Sequence, residues 1–279
     1  MPELRKVLIA THHRLDLWIA PEWFVEWLRK EFPDVEFVRM TNYDGIEKEL
    51  ADADVAFTYS LRPEQFKKAH RLRWIYSPAA AVHQFLFPEL VNSDVILTNA
   101  REVHGAFVAE HVIALIFALA KRIPDTVRFQ EKHVWGQGVL WTSNACPQEI
   151  AGATLGLVGV GSIGRNVASR AKALGMRVIA VREHAEKGKP DSVDEVFPVS
   201  RLDEMLGQAD YVVLSAPLTT ATTGLISSRQ LQAMRPTSYL INVGRGSVID
   251  EGALVEALQQ KRIAGAALDV FDKEPLPPD

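Results

Sequence analysis

The segment Thr154-Leu-Gly-Leu-Val-Gly-Val-Gly-Ser-Ile-Gly164 carries the strongest structural signal in this chain. An apolar run that is typical of a strand enters a Gly-x-Gly-x-x-Gly turn, and residues 165–174 are typical of a helix. Gly159 permits the tight turn, Gly161 lets a ligand approach the backbone, and Gly164 allows the helix to pack closely on the strand. Free N–H groups at the start of such a helix attract phosphate. The segment therefore predicts a dinucleotide-binding turn, and a plain tight turn is the alternative.

Length, charge and cysteine content exclude several classes of protein. The 279 residues are enough for two domains, and the net charge of −4 includes no basic block. We therefore expect no nucleic-acid partner and no membrane partner. The single cysteine, Cys146, excludes an internal disulfide and indicates a reducing compartment. The longest apolar run, residues 112–120, is too short to span a bilayer, so we expect a soluble cytoplasmic protein.

Strand-like and helix-like segments alternate along the chain, which predicts an α/β fold with parallel sheets and helices on both faces. We expect two doubly wound domains: a flavodoxin-like substrate-binding domain over residues 1–99, and a Rossmann cofactor domain over residues 100–279. The expected strands are residues 7–10, 35–38, 55–58, 74–77 and 95–97, then 154–159, 177–181, 211–215, 239–242 and 265–269. A helix over residues 105–122 has a wide apolar face, which indicates burial on more than one side.

Five blocks of sequence, in order, resemble the D-isomer-specific 2-hydroxyacid dehydrogenases over nearly the whole chain. The blocks are Val108-Ala-Glu-His111, the glycine turn, Ala209-Asp-Tyr-Val-Val-Leu-Ser-Ala-Pro217, Asn242-Val-Gly-Arg-Gly-Ser-Val-Ile-Asp250 and Ala267-Leu-Asp-Val-Phe-Asp-Lys-Glu-Pro-Leu276. The resemblance implies hydride transfer between a nicotinamide and a small 2-keto or 2-hydroxy acid, of glyoxylate or hydroxypyruvate type.

The resemblance assigns catalytic roles to Arg245 and Glu274. Hydride that arrives at a keto carbon leaves negative charge on the oxygen, so a fixed cation lowers the barrier. Arg245 matches the family's arginine, and its planar fork can hold the keto oxygen and the carboxylate together, which lysine cannot do. Glu274 matches the glutamate that hydrogen-bonds the family's acid histidine. A surface salt bridge for Arg245 and a solvated loop for Glu274 are the alternatives.

The remaining site residues are expected to bind cofactor and substrate. The resemblance makes Asp269 the residue that holds the nicotinamide carboxamide. Residues 77–82, Ser-Pro-Ala-Ala-Ala-Val, align with the family's glycine-rich loop, so Ala80 and Ala81 are expected to bind the substrate carboxylate through backbone N–H groups. With alanines in place of glycines, that loop must avoid positive φ. The expected cofactor contacts are Gly159, Val160, Gly161, Ser162, Ile163, Arg182, Ala216, Pro217, Thr222, Val243 and Asp269.

The residue at the end of the second Rossmann strand bears on the choice of cofactor. Sites that prefer NAD usually have an acid there, which accepts a hydrogen bond from the ribose 2′-OH. This chain has Arg182, which attracts a 2′-phosphate instead, and His184 and Lys187 add positive charge. We therefore expect NADP to be preferred over NAD. Glu183, the next residue, is an acid that would accept the 2′-OH hydrogen bond if it turned toward the ribose, so NAD is the alternative.

The resemblance also identifies a residue that the printed sequence does not reach. The family's acid is a histidine beyond the Glu-Pro-Leu block, and the sequence ends at Asp279. His111 is expected to be a packed or interface residue, and His12 and His13 are expected to lie in a solvated loop. His104 begins the long helix, and an approach to the nicotinamide is the weaker interpretation for it. Without a general acid, turnover falls by about 10²- to 10⁴-fold. We therefore expect the natural chain to be longer and to contain the histidine.

Two further functions remain open from the sequence. One is a weakly catalytic or inactive nucleotide-sensing binding protein, like the corepressor branch of the same family. The other is phosphoglycerate dehydrogenase. Arg245 and Glu274 favour an enzyme, because a pure binding protein has no need of that pair. The apolar face of residues 105–122 and the resemblance together predict a homodimer. The adjacent His12 and His13 lack metal-ligand spacing, so we expect no metal.

Overall fold

A computed structural model describes residues 4–13, 15–142 and 146–277. The chain divides into two compact units after Val103, which we call unit 1 and unit 2. Each unit contains one all-parallel sheet, of five strands in unit 1 and six in unit 2. The α/β fold expected from the sequence is confirmed. The sequence placed the boundary after residue 99, and the substrate and cofactor roles of the two units stay predictions.

Unit 1 has the strand order β2-β1-β3-β4-β5, which is the flavodoxin-like order. Its strands are β1 Lys6–Ala10, β2 Glu36–Met40, β3 Val55–Thr58, β4 Trp74–Ser77 and β5 Ile96–Asn99. Its helices are α1 Glu22–Glu31, α2 Ile46–Leu50, α3 Pro63–Phe66 and α4 Pro88–Val91. Two apolar clusters cover the sheet, one built around Leu8 and Ala10 and the other around Val7 and Ile9. This alternation along β1 shows that both faces of the sheet are buried.

Unit 2 begins with three helices, α5 Gly105–Ala120, α6 Ile123–Glu131 and α7 Gln137–Thr142. The strands that follow are β6 Thr154–Val158, β7 Arg177–Val181, β8 Glu195–Phe197, β9 Tyr211–Leu214, β10 Tyr239–Asn242 and β11 Gly265–Leu268. The remaining helices are α8 Ser162–Ala173, α9 Leu202–Leu206, α10 Ser228–Ala233 and α11 Glu251–Gln259. The sheet order is β11-β10-β9-β6-β7-β8, which is the Rossmann order. The short strand β8 was not predicted.

Helices cover both faces of the unit 2 sheet, and the side chains of its strands alternate between the two cores. Val212 and Leu214 pack with residues of α9, α10 and α11, whereas Tyr211 and Val213 pack with residues of α5 and α8. The period of two follows from the pleat of a strand. A doubly wound sheet of this kind leaves the loops at the carboxyl ends of its strands as the place where a ligand binds.

The long helix predicted over residues 105–122 is shorter in the structure. α5 ends at Ala120, and Arg122 adopts a φ of 58°, a left-handed conformation that breaks the helix. α6 then begins at Ile123 with a proline in its first turn. One stripe of α5 is fully buried in unit 2, and it consists of Gly105, Ala109, Val112, Ile116 and Ala120. The expected loop over residues 135–150 contains α7.

Three aspartates fasten neighbouring strands together at the amino edges of the two sheets. Asp54, before β3, accepts the N–H groups of Arg5 and Lys6, at 2.9 and 3.1 Å. Asp194 and Asp210 accept the N–H groups of Val178 and Thr154, each at 2.8 Å.

The pKa values of two of these carboxyl groups are lowered. Burial opposes ionisation of Asp54, but the two N–H donors and the Arg71 guanidinium outweigh it and hold its pKa below the ordinary value. The hydrogen bond from Lys172, followed by the Val178 N–H, lowers the pKa of Asp194. Backbone N–H groups and a basic side chain, Arg71 for Asp54 and Lys172 for Asp194, therefore stabilise each carboxylate in its charged form.

Candidate functional site

The candidate nucleotide site of unit 2 lies along the carboxyl edge of its sheet. In the order of the strands, Asp269 follows β11, Arg245 lies beyond β10, Ala216 beyond β9, Gly159 after β6 and Arg182 after β7. The strands are parallel, so these residues share one edge. At 4.7–4.9 Å per strand, β7 and β11 lie roughly 19 Å apart. The glycine turn occupies the switch point between β6 and β9.

The glycine turn is held by backbone contacts. Gly159 has a φ of 94°, and its N–H donates to the Val181 carbonyl at 2.9 Å. The Ser215 hydroxyl donates to the Gly159 carbonyl at 3.0 Å. A Cβ on Gly164 would clash with that same carbonyl, so only glycine lets α8 approach β6 so closely. Ser215 was not among the predicted site residues, and its contact depends on side-chain orientation that the spacing of the motif does not reveal.

The start of α8 fits the phosphates of a dinucleotide. Gly161 is the N-cap, no side chain caps the helix, and its first turn contains no acid. A Cβ built on Gly161 meets no atom within 4 Å, so the space beside this backbone is open. Val160 and Ile163 are half-buried against the core that α5 and α8 share, and Ser162 lies against Gly105 of α5. The helix N-terminus therefore presents N–H groups and the positive end of its dipole toward open space.

Asn242 shapes the turn that carries Arg245. This asparagine is fully buried at the end of β10; its side chain accepts the Gly244 N–H and donates to the Arg245 carbonyl, both at 3.0 Å. Val243 is also buried. The Arg245 guanidinium donates to the Gly244 carbonyl at 2.7 Å and pairs with no carboxylate in the described ranges. No role for Asn242 was predicted, although an amide that ends an apolar strand and begins a glycine-containing turn is a signal for one.

Asp269 and His111 form a pair beside Arg245. The Asp269 N–H donates to the Asn242 carbonyl at 3.0 Å, and His111 Nε2 lies 3.6 Å from Asp269 Oδ1. Both side chains remain about half exposed. His111 was expected to be a packed or interface residue. The structure places its half-exposed ring next to the carboxylate that the resemblance assigns to the nicotinamide.

Glu274 lies in a turn that packs against the segment following Arg245. A Cβ on Gly246 would clash with the backbone of Phe271, so the two segments touch directly. Ser247 donates to the Asp272 carboxylate, and the Asp272 N–H donates to Glu251 at 2.7 Å. Glu274 Oε1 accepts the Phe271 N–H at 3.0 Å. Glu274 is therefore held near the Arg245 turn by the backbone of its own loop.

Arg182 follows β7 directly and begins a short turn that contains both acidic and basic side chains. Its N–H donates to the Phe197 carbonyl at 3.2 Å, and its guanidinium to the Gly188 carbonyl at 3.4 Å. It forms no ion pair with a carboxylate in the described part of the chain. His184, which was expected to add positive charge, pairs with Glu186 at 3.2 Å, whereas Glu183 is exposed.

The loop after β9 brings Ala216 against Gly159 and leaves Pro217 exposed. The Thr222 hydroxyl donates to the Pro217 carbonyl and accepts the Thr219 N–H, both at 2.7 Å. Its donor is thus committed to the loop, and the structure gives Thr222 a role in holding Pro217.

In unit 1, Ala80 and Ala81 lie in the loop after β4. Glu102, Arg122, His133 and Lys261 are the non-glycine residues with positive φ in the described ranges, so the alanine loop avoids that region as required. The N–H groups of Ala80 and Ala81 donate to no acceptor in the part of the chain that the structure describes.

Among the described residues, no group of three or more histidine, cysteine, aspartate or glutamate side chains is placed to hold a metal ion. Within the same ranges, every helix is too short or too polar to cross a bilayer.

These features define a two-unit α/β protein with a Rossmann sheet and a glycine turn built for a dinucleotide. Residues 113–279 match the family model described as D-isomer specific 2-hydroxyacid dehydrogenase, NAD binding domain. Glyoxylate reductase of Thermococcus gammatolerans is 31% identical over 279 residues, which cover 99% of this chain and 78% of that protein. The chain therefore belongs to the D-isomer specific 2-hydroxyacid dehydrogenase family, whose members are NAD(P)-dependent and act on small 2-keto acids.

Two solved structures are similar over nearly the whole chain. A D-isomer specific 2-hydroxyacid dehydrogenase family protein from Aeromonas salmonicida has a TM-score of 0.82 at 30% identity, covering 99% of this chain and 84% of that one. An NADPH-dependent glyoxylate/hydroxypyruvate reductase from Sinorhizobium meliloti, in complex with NADP and sulfate, has a TM-score of 0.79 at 26% identity. The match covers 99% of this chain and 84% of the Sinorhizobium meliloti chain.

Alanine substitutions of the two glycines at the start of α8 should differ in their effects on stability and on NADPH binding. Gly161→Ala adds a methyl group to open space, so the melting temperature should stay unchanged. The same methyl group would keep phosphate from the backbone and weaken NADPH binding about tenfold or more, as expected when a hydrogen bond to a charged group is lost. Differential scanning fluorimetry and fluorescence titration with NADPH measure the two effects.

Gly164→Ala provides the contrast. Its methyl group would clash with the Gly159 carbonyl, so both the melting temperature and NADPH affinity should fall. Wild-type NADPH affinity in Gly161→Ala would show that the nucleotide does not approach this backbone.

Proposed function

We propose that the protein reduces small 2-keto acids of the glyoxylate or hydroxypyruvate type, with NADPH as the preferred hydride donor. The observation that carries this proposal is the position of Arg245. Its guanidinium lies at the carboxyl edge of the Rossmann sheet, on a turn that buried Asn242 fixes, and no carboxylate of the described residues neutralises it. A fixed cation of this kind stabilises negative charge that develops on a nearby oxygen.

Each candidate site residue has a separate role in the proposed reaction. The nicotinamide, when bound, supplies the hydride. Arg245 stabilises the charge that develops on the keto oxygen, and its planar fork also holds the carboxylate. In unit 1, the Ala80 and Ala81 N–H groups bind the substrate carboxylate. Asp269 orients the carboxamide, and Glu274 interacts with the family's acid histidine.

Arg182 supports NADP over NAD. It lies directly beside the glycine turn, because the Gly159 N–H is bonded to the carbonyl of the preceding Val181. A guanidinium without a carboxylate partner at this position fits a 2′-phosphate and offers no acceptor to a 2′-OH. The name of the Sinorhizobium meliloti relative, an NADPH-dependent reductase, agrees with this proposal, and the glyoxylate reductases agree with the proposed substrate.

The geometry around Arg245 also favours an enzyme over a nucleotide-sensing binding protein. A binding protein needs the glycine turn and the start of α8, but it does not need an unneutralised arginine at the nicotinamide end of the sheet edge. Phosphoglycerate dehydrogenase, which oxidises the 2-hydroxy acid phosphoglycerate, is the second candidate activity of the same site, and no described contact selects it over glyoxylate reduction.

The first test measures the reductase activity and the effect of replacing the planar guanidinium of Arg245. Protein purified from its own cells should oxidise NADPH when glyoxylate is added. Arg245→Lys keeps the charge but loses the planar fork, so kcat should fall about a hundredfold, the usual cost of removing one transition-state donor. The affinity for NADPH should change less than twofold. Stopped-flow absorbance at the NADPH band measures kcat, and fluorescence titration measures the affinity for NADPH.

Arg229→Lys is the matched control, because Arg229 is an exposed arginine that pairs with Asp203 at 2.7 Å. It should leave kcat unchanged. NADPH binding without turnover of any 2-keto acid would overturn the proposed reductase and favour the binding protein.

Arg182→Ser should change the choice of cofactor. The dissociation constant of NADPH should rise about ten- to a hundredfold, because one ionic hydrogen-bonded contact to the 2′-phosphate is lost. The dissociation constant of NADH should stay within twofold. Competitive fluorescence titrations of both cofactors measure the ratio.

Lys48→Ser, which removes one exposed positive charge from unit 1, is the control and should alter neither constant. Tighter binding of NADH than NADPH by the wild-type protein would show that Glu183, rather than Arg182, contacts the ribose.

We further propose that the protein forms a homodimer through α5, α6 and α7. These helices and the connection between α6 and α7 expose several large apolar side chains: Phe107, Ile123, Val127, Val134, Trp135, Val139 and Trp141. Trp135 is 86% exposed, and it forms one wall of a cavity of about 450 Å³ whose other walls include Phe129, Leu140 and Pro147. A protruding indole and an apolar cavity on one surface suit a two-fold interface, in which each copy supplies both parts. Exposed apolar area of this extent is unusual on a monomer.

Trp135→Asp should convert the dimer into a monomer. Light scattering should give twice 31.0 kDa for the wild-type chain and 31.0 kDa for the variant. Trp23→Asp replaces a tryptophan that is 68% exposed on α1 of unit 1, and it should leave the mass of the dimer unchanged. A wild-type mass of 31.0 kDa at micromolar concentration would remove the dimer proposal.

A further inference from the structure

The loop after β4 in unit 1 is fixed at its start by Ser77. This serine is fully buried at the end of β4, opposite Asn99 at the end of β5. Its hydroxyl accepts the Ala79 N–H at 3.3 Å, and its carbonyl accepts the Ala100 N–H at 3.0 Å. These contacts fix the direction in which the loop leaves the sheet, and thus the position of its first peptide groups.

Two side-chain amides hold the next two carbonyls of the loop. Asn99 donates from Nδ2 to the Ala80 carbonyl at 2.6 Å. Gln84 donates from Nε2 to the Tyr59 carbonyl at 2.6 Å and, more weakly, to the Ala81 carbonyl at 3.4 Å. The Gln84 Oε1 atom is buried and has no hydrogen-bond partner in the described part of the chain. The reverse orientation of this amide would place Oε1 against carbonyl oxygens, so the two acceptors determine its orientation.

Holding a carbonyl also fixes the N–H group of the next residue. In a planar trans peptide the C=O and N–H bonds point in opposite directions. Asn99, through the Ala80 carbonyl, therefore sets the direction of the Ala81 N–H. Gln84 sets the direction of the Val82 N–H in the same way. The N–H groups of Ala80, Ala81 and Val82 donate to no acceptor among the described residues, so they remain available to a ligand.

The alanines make this arrangement stiffer than glycines would. Alanine has far fewer backbone conformations than glycine, so the loop loses less entropy when it is held in one of them. None of the three alanines adopts the left-handed region, and the loop is thus free of that strain. A donor that is already oriented binds its ligand without a further ordering cost.

We propose that Asn99 is a positioning residue for the substrate carboxylate. Asn99 holds the Ala80 carbonyl so that the Ala81 N–H points at the carboxylate. Gln84 has a supporting role. This inference rests on the proposed function, because it takes the alanine loop as the carboxylate-binding loop. Asn99 does not contact the substrate itself. It therefore adds to the enzyme's preference for an acid over a neutral carbonyl compound.

The test compares an acid with its neutral ester. Asn99→Leu keeps the approximate shape of the side chain and removes the donor without adding charge. It should raise KM for glyoxylate about tenfold, the order expected when one hydrogen bond to a charged group is misplaced. The kcat/KM for methyl glyoxylate and the dissociation constant of NADPH should each change less than twofold. General damage to the fold would lower the values for acid and ester together.

Asn99→Gln, which keeps a carboxamide, should recover part of the preference for the acid. Asn92→Leu is the matched control, since Asn92 is exposed at the end of α4 in the same unit and should leave all the constants unchanged. An unchanged ratio of acid to ester in Asn99→Leu would overturn the proposal.

A binding measurement separates this proposal from the proposed activity. In protein labelled with ¹⁵N-alanine and saturated with NADP⁺, added glyoxylate should shift the Ala81 amide resonance, and Asn99→Leu should abolish that shift. An Ala81 resonance that does not respond in the wild-type protein would overturn the positioning role. A wild-type protein that turns over no 2-keto acid would overturn the proposed activity, and the Ala81 resonance would still decide the positioning role.

Discussion

The close approach of α8 to the Gly159 carbonyl is the constraint on which unit 2 depends. Gly164 permits this approach because it has no Cβ, and Ser215 donates to the same carbonyl from the loop beyond β9. The Gly159 N–H reaches the end of β7. Gly159 thus joins three strand ends and the start of a helix through its N–H and its carbonyl. The direction of α8, and with it the N–H groups that would face a phosphate, follows from this packing.

Much of the fold was predictable because its signals are local. The strands Val55–Thr58, Trp74–Ser77, Arg177–Val181 and Tyr239–Asn242 have the predicted bounds, since each is an apolar run with clear ends. β8 was missed because it has three residues and lies at the edge of the sheet, where pairing with β7 decides its conformation. The helix α6 was also missed, because the prediction ended the long helix at Arg122 and assigned no helix directly after it. An arginine in a left-handed conformation between two helices leaves no pattern in the sequence.

The candidate site was predictable in its order and not in its contacts. Arg245, Asp269 and the glycine turn follow parallel strands, so their common edge follows from the topology alone. The two hydrogen bonds of Asn242, the pairing of His111 with Asp269, and the acceptor role of Glu274 depend on side-chain directions. The same applies to Thr222, whose hydroxyl bonds to its own loop. A motif specifies which residue types occur, whereas these contacts are set by packing between distant segments.

The aspartates at the amino edges of the sheets make both units sensitive to acid in the same way. Backbone N–H groups and Arg71 lower the pKa of Asp54, and Lys172 and the Val178 N–H lower that of Asp194, so the contribution of both carboxylates to stability is complete above the ordinary aspartate pKa. It is lost as the pH falls through the lowered native values. Acid therefore weakens the contacts that join neighbouring strands at the amino edges of both sheets, β1 with β3 in unit 1 and β7 with β8 in unit 2.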